Sequence, residues 1–127
     1  MRVLIIDDET LIRKSLVRVA LSRGHTVRAE KDGERGLKTW KVFQPHLVFL
    51  DILMPKLDGP SVLRKSGKKN NEKVIMMSAH RAFSDGVFVP GVDLFVSKPF
   101  QNVIDMFNQA EQLCFYDKEV SFYTEPV

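Results

Sequence analysis

Val3-Leu4-Ile5-Ile6-Asp7-Asp8 and Leu47-Val48-Phe49-Leu50-Asp51 are the stretches that decide the fold. Each is a short apolar run that ends on carboxylate. Continuous runs of this length suit strands buried on both faces of a sheet. A third run, Leu94-Phe95-Val96-Ser97, ends on Lys98. If all three are parallel strands of one sheet, their charged ends gather along one edge. Three carboxylates repel one another there and need a cation to hold them together. The cluster points to metal-assisted phosphoryl chemistry.

The rest of the chain alternates strand-like and helix-like stretches. After the first strand, Leu11, Ile12, Leu16, Val19 and Ala20 recur at helical spacing, and Gly24 stops the helix. Thr26 to Ala29 reads as a weaker strand. Leu37, Trp40 and Phe43 mark a second helix that Pro45 ends. Ser61 to Lys65 is a short third helix, followed by a polar loop from Gly67 to Glu72. Val74 to Met77 is a fourth strand. Val103, Ile104, Phe107, Ala110 and Cys114 mark an amphipathic fifth helix. Between Ala82 and Gly91, Asp85-Gly86 and Pro90-Gly91 leave room for a short or irregular fourth helix only, because Gly and Pro cost about 1 and 3 kcal/mol inside a helix. This alternation predicts an α/β fold with helices on both faces of a five-stranded parallel sheet. Right-handed crossovers put every strand's carboxyl end on one edge, and ligands bind where the strand order reverses. The flavodoxin-like, doubly wound order 2-1-3-4-5 sets the first strand beside the third, so that Asp7 and Asp8 meet Asp51.

At 127 residues the chain has the length of one domain, and 44% hydrophobic with 28% charged residues is a globular balance. No apolar run approaches the roughly 20 residues that cross a bilayer. Met1-Arg2 leads straight into a strand, so no signal peptide is expected. The single cysteine, Cys114, has no internal partner. These features lead us to expect a reducing, cytoplasmic setting. A net charge of +3 makes no case for nucleic acid.

At the predicted edge, Asp7 and Asp8 offer oxygen ligands suited to Mg²⁺ or Mn²⁺. Asp51 offers either a further ligand or a carboxylate nucleophile. Ser78 ends the fourth strand with a hydroxyl, and Lys98 ends the fifth with a point charge. Together they provide partners for the equatorial oxygens of a transferring phosphoryl group.

Four stretches carry a resemblance: Val-Leu-Ile-Ile-Asp-Asp-Glu (3–9), Asp-Ile-Leu-Met-Pro-Lys-Leu-Asp-Gly (51–59), Met-Ser-Ala-His (77–80) and Phe-Val-Ser-Lys-Pro-Phe (95–100). In this order and spacing the chain resembles a response-regulator receiver domain of bacterial two-component signalling, similar to the chemotaxis regulator. The resemblance implies a receiver domain over 1–115 and a C-terminal tail or linker start over 116–127. It implies that Asp51 is the phosphoacceptor, that Asp8 binds Mg²⁺ directly and Asp7 through water, and that the backbone carbonyl of Leu53 completes the metal site. It further implies that Lys98 pairs with the phosphoryl group across a cis Lys98–Pro99 bond. Ser78 and Phe95 would form the switch pair. The implied partners are a sensor histidine kinase or phosphotransfer protein, and a downstream protein or second copy met by the fourth helix, fifth strand and fifth helix. Membrane and direct nucleic-acid contacts are not implied. The chain would be no enzyme beyond catalysing its own phosphorylation and dephosphorylation.

The segment between Ser78 and Gly91 departs from the family pattern in being about two residues short, so the signalling surface is expected to be unusual or its coupling weak. Leu53 and His80 hold the two variable positions flanking the phosphoryl site. We expect Leu53 to hinder water and His80 to modulate phosphoryl lifetime. Asp58-Gly59 reads as turn and helix-start chemistry, His25 and His46 as structural, and Trp40 and Met76-Met77 as core. The aromatic tail of Phe115, Tyr116, Phe122 and Tyr123 is expected to pack back onto the domain. The runner-up function is a receiver-like docking module that works without phosphorylation; intact Asp8, Asp51, Ser78 and Lys98 argue against it. A haloacid-dehalogenase-type phosphatase would want an acid where Leu53 stands. A Rossmann nucleotide site would want a Gly-rich loop after the first strand.

Overall fold

The computed structural model describes residues 1–79 and 89–123, with side chains described as far as Phe115. In chain order, the described elements are β1 (Arg2–Ile6), α1 (Thr10–Ser22), β2 (Thr26–Glu30), α2 (Gly33–Phe43), β3 (Leu47–Asp51), α3 (Gly59–Ser66), β4 (Lys73–Ser78), β5 (Leu94–Ser97) and α4 (Val103–Tyr123). Helix α4 is the fifth helix of the sequence reading. His80 and most of the expected fourth helix fall on residues 80–88, outside those described, and of that stretch only Val89-Pro90-Gly91 belongs to the described chain.

All pairings are parallel, as the alternation predicts, and the strand order is β2-β1-β3-β4-β5, the flavodoxin-like order expected. β3 lies at the centre and every one of its residues is buried, which is why its sequence is an unbroken apolar run. Residue parity divides the core. Val3, Ile5, Leu47, Phe49, Ile75 and Met77 face Leu16 and Ala20 of α1 and Met106, Phe107 and Ala110 of α4. Leu4, Ile6, Val48, Leu50, Val74 and Met76 face Trp40 of α2 and Val62 and Leu63 of α3. Successive side chains of a strand point to opposite faces, so a two-sided core needs apolar residues at every position.

Local chemistry sets the helix ends. Asp32 caps α2 by accepting from the Arg35 amide at 2.8 Å, and Asp58 caps α3 by accepting from the Ser61 amide at 2.8 Å. Asp58 thus does the turn and helix-start work expected of it. Gly67 closes α3 in the left-handed region, at φ 66°. Glu9 stands at the start of α1 without a side-chain cap bond, which leaves its carboxylate for other work.

Three details lie outside the sequence reading. α4 runs on through the expected tail to Tyr123. Phe115 is 60% exposed on it, so this member of the aromatic tail does not pack back as expected; the other tail side chains lie outside the described set. Glu72, from the polar loop, is buried and accepts from Trp40 Nε1 at 3.3 Å and from the Lys69 amide at 2.7 Å. His25 and His46 are structural as expected. His25 Nε2 lies 2.6 Å from Glu111, and His46 Nδ1 accepts from the Arg2 amide at 2.9 Å.

Candidate phosphoryl and metal site

The register builds the site. Ile6 pairs with Leu50, so the residues that follow, Asp7 and Asp51, leave the sheet side by side. Ser78 pairs with Ser97, and the Lys98 amide donates to the Ser78 carbonyl at 2.8 Å, so β4 and β5 deliver their terminal residues to the same edge. Asp7, Asp8 and Asp51 each present a carboxylate oxygen within 4.8 Å of the others. Among the described residues this is the one such acidic group. Lys98 Nζ lies 2.7 Å from Asp7 Oδ2 and 3.3 Å from Asp51 Oδ1.

Asp7 is fully buried and heavily engaged. Its Oδ1 accepts from the Glu9 amide at 2.9 Å, its Oδ2 from Lys98, and its backbone carbonyl from Arg13 Nη1 at 2.8 Å. Asp8 is exposed and faces solvent. Asp51 and Ser78 are buried. Leu53 sits just past Asp51 on the β3–α3 turn, half exposed. Phe95 is half-buried, packs beside the α2–α3 face of the core, and lines an open groove of about 380 Å³ with Pro99, Phe100 and Met106. The Lys98–Pro99 bond is cis.

Burial pushes the Asp51 carboxyl up, and the adjoining Asp7 charge adds to it, to about 7 against the pull of Lys98. Burial also raises Asp7, against the hydrogen bond from Lys98. Burial alone would lower Lys98, but its hydrogen bond to Asp7 and the charges of Asp7 and Asp51 outweigh that and raise it. One buried ammonium therefore faces more negative charge than it can balance. That imbalance, together with hard oxygen donors and an open face at Asp8, fits a small divalent cation that keeps some of its water.

Sequence reasoning missed two members of this constellation. Glu9 Oε1 lies 3.1 Å from Lys98 Nζ, and Arg13 fastens the Asp7 carbonyl. Glu9 directly follows the acidic pair and precedes the first helical turn, which was the available signal. Nothing in composition marks Arg13, since it reaches back from one turn into α1.

The response regulator receiver domain family profile matches residues 3–108, and the chain belongs to that family. It is 38% identical over 101 residues to a probable transcriptional regulator, ycf27, of Porphyridium aerugineum, covering 78% of this chain and 42% of the relative. It is 35% identical over 105 residues to the transcriptional regulatory protein CseB of Streptomyces coelicolor, covering 80% of this chain and 44% of the relative. The chain thus spans less than half the length of these curated relatives. Among solved structures, a CheY-like receiver domain protein from Methanospirillum hungatei superposes with a TM-score of 0.80 at 25% identity, covering 93% of this chain and 96% of that one. The response regulator protein TrrA from Thermotoga maritima, solved in complex with Mg(2+)-BeF, gives 0.74 at 30% identity and covers 88% and 97%. No described helix is long and apolar enough to cross a membrane.

Proposed function

We propose that this receiver domain is a phosphorylatable switch, with Asp51 as phosphoacceptor. The observation that carries the reading is the meeting of Asp7, Asp8 and Asp51 within 4.8 Å beside Lys98. Asp7, Asp8, Asp51 and the Leu53 carbonyl would hold Mg²⁺ (Mn²⁺ would also fit), with Asp7 acting through water because its own oxygens are already engaged. When bound, the cation offsets the repulsion among the carboxylates and the charge on the phosphoryl oxygens.

An Asp51 carboxylate oxygen attacks phosphorus on a donor's phosphohistidine. The P–N bond breaks, and the imidazole leaves with its electron pair. Lys98 exchanges its Asp51 contact for a phosphoryl oxygen, and Ser78 supplies a hydroxyl to another. The site acts by placing charge in advance of the reaction. Movement of Ser78 and Phe95 biases a two-state equilibrium at the surface of β5, α4 and the preceding segment. That surface would meet a downstream protein or a second copy, and water would reset the acyl phosphate. The domain would catalyse only its own phosphorylation and dephosphorylation, in the cytoplasm, upstream of an output such as the transcriptional regulation named in its relatives.

The test is incubation with Mg²⁺ and a small acyl-phosphate donor, read by intact mass. A single phosphoryl adduct that is absent in Asp51→Asn supports the reading. Mg²⁺ binding without any adduct would refute phosphorylation and leave the docking module.

A further inference from the structure

The turn that carries Leu53 is held from outside by α2. Residues 52–58 leave β3 as a tight turn in which the Leu57 amide donates to the Pro55 carbonyl at 2.8 Å. Lys56, between them, has φ 72°. A bond from i to i+2 across a residue of positive φ is the γ-turn pattern, which is rare and strained for a side-chain-bearing residue. Strained backbone persists only where its surroundings hold it.

Two neighbours supply that hold. At the α3 end, the Gly59 amide donates to the Ile52 carbonyl at 2.7 Å. At the α2 end, Gly33 lies flat against Leu57. A methyl group there would overlap the Leu57 carbonyl oxygen and stand 2.8 Å from its Cβ. Beside it the buried Asp32 does two jobs: Oδ1 caps α2, and Oδ2 faces Lys56 Nζ at 3.9 Å. Asp32 is held below the usual carboxylate range, first by the Arg35 amide and then by the neighbouring cations, so it remains charged.

We infer that Asp32 and Gly33 are positioning residues for the metal site, seating the β3–α3 turn so that the Leu53 carbonyl faces the acidic cluster. The inference rests on the reading of the Leu53 carbonyl as a ligand. α2 contributes no residue to the acidic cluster; Gly36 packs on Ile6 of β1, whereas Asp32 and Gly33 meet the β3–α3 turn. Groups that orient metal ligands from outside typically change affinity by about ten- to a hundredfold when lost.

The experiment is calorimetric Mg²⁺ titration of the full chain, with amide shifts of residues 53–58 followed in parallel. Wild type, Gly33→Ala, Asp32→Asn and Gly24→Ala are compared. Asp32→Asn keeps a competent helix cap and removes the charge that faces Lys56 and, within α2, Arg35. Gly24, at φ 83° with open space around it, is a control whose substitution strains the backbone away from the turn. We expect Gly33→Ala to bind Mg²⁺ about ten- to a hundredfold more weakly, with the amide shifts of the turn displaced. Asp32→Asn should weaken binding about two- to fivefold, the range of a partly exposed ion pair, and Gly24→Ala should leave it unchanged. A wild type that binds no Mg²⁺ would refute the metal site itself. A wild type that binds, with a folded Gly33→Ala binding equally well, would overturn the positioning role alone. Equal weakening in Gly24→Ala would overturn it too. If Gly33→Ala does not fold, Asp32→Asn decides: unchanged affinity refutes the role and weakened affinity upholds it.

Discussion

Replacing Asp51 by Asn should make the metal-free domain more stable, and the gain should depend on pH in a fixed direction. The Asp51 side chain is 7% exposed, and burial together with the Asp7 charge raises its carboxyl to about 7. In the unfolded chain the same group titrates near 3.9. Between these values the native state keeps a proton that the unfolded state has lost, so stability falls as pH rises and levels off above about 7. Three units at 1.36 kcal/mol each make the penalty about 4 kcal/mol. Asparagine keeps the shape and removes the charge, but among the described residues Lys98 then keeps only Asp7 and the exposed Glu9 as acidic partners. Allowing about 1 to 2 kcal/mol for that loss, the net gain at pH 8 is about 2 to 3 kcal/mol, or roughly 10 °C in Tm for a domain of this size. Below about pH 4.5 most of the gain should vanish, because wild-type Asp51 is then protonated when folded. The assay is thermal unfolding of both proteins in chelator at pH 4.5, 6 and 8, repeated at pH 8 with Mg²⁺. The cation should raise the wild-type Tm and narrow the gap, since it binds the folded state. An Asn variant melting at or below wild type at pH 8, or an offset independent of pH, would refute the account of buried carboxylate repulsion.

Other outcomes follow from the same structure. Phe107 is fully buried with its ring centroid 4.8 Å from that of Phe49, so Phe107→Ala should cost about 3 to 5 kcal/mol, read from the denaturant midpoint. Glu111 joins α4 to the end of α1 through Arg23 and His25, and the Arg23 hydrogen bond in particular holds its carboxyl below the usual range. A depressed carboxylate adds stability above its unfolded pKa that is lost as pH falls through the folded one. Glu111→Gln should therefore cost about 1 kcal/mol at pH 7, after discounting for partial exposure, and the difference should fade below about pH 4. On the proposed function, Leu53→Asn should shorten the acyl-phosphate lifetime severalfold by admitting water beside Asp51; an unchanged decay rate of the mass adduct would count against Leu53 as a barrier.

The strands, their parallel pairing and their charged ends were legible because all follow from local signals; the strand order came from the flavodoxin-like pattern. Val3 to Ile6 and Leu47 to Leu50 are buried on two faces and so are apolar at every position, and a parallel sheet sends every strand end to the same side. Asp7, Asp51, Ser78 and Lys98 needed that geometry, with β1 set beside β3, to meet. What was not legible depends on side chains crossing between elements. Glu9 belongs to the Lys98 network because α1 starts without a side-chain cap bond, and that choice is made in three dimensions. Glu72 sits in a polar loop yet is buried, since Trp40 from another helix offers it a donor. The length of α4 was missed because the charged run Asp117-Lys118-Glu119 interrupts the apolar stripe that Val103, Phe107, Ala110 and Cys114 mark.

Gly33 shows the same limit at a single residue. In sequence, Asp32-Gly33 reads as a loop ending where a helix begins, and Asp32 does cap α2. Its second contact, to Lys56 on a turn more than twenty positions away, follows from α2 and α3 lying on the same face of the sheet. A glycine at the first position of a helix weakens the helix, and substitution by alanine would strengthen it if the surroundings were open. Here Leu57 occupies the space that the added methyl would need. Local propensity and tertiary contact thus predict opposite signs for Gly33→Ala, and the close approach decides, because overlap with a backbone carbonyl cannot be relieved by rotating a side chain. The measured sign of that substitution separates a glycine tolerated at a helix start from one required by the turn beside it.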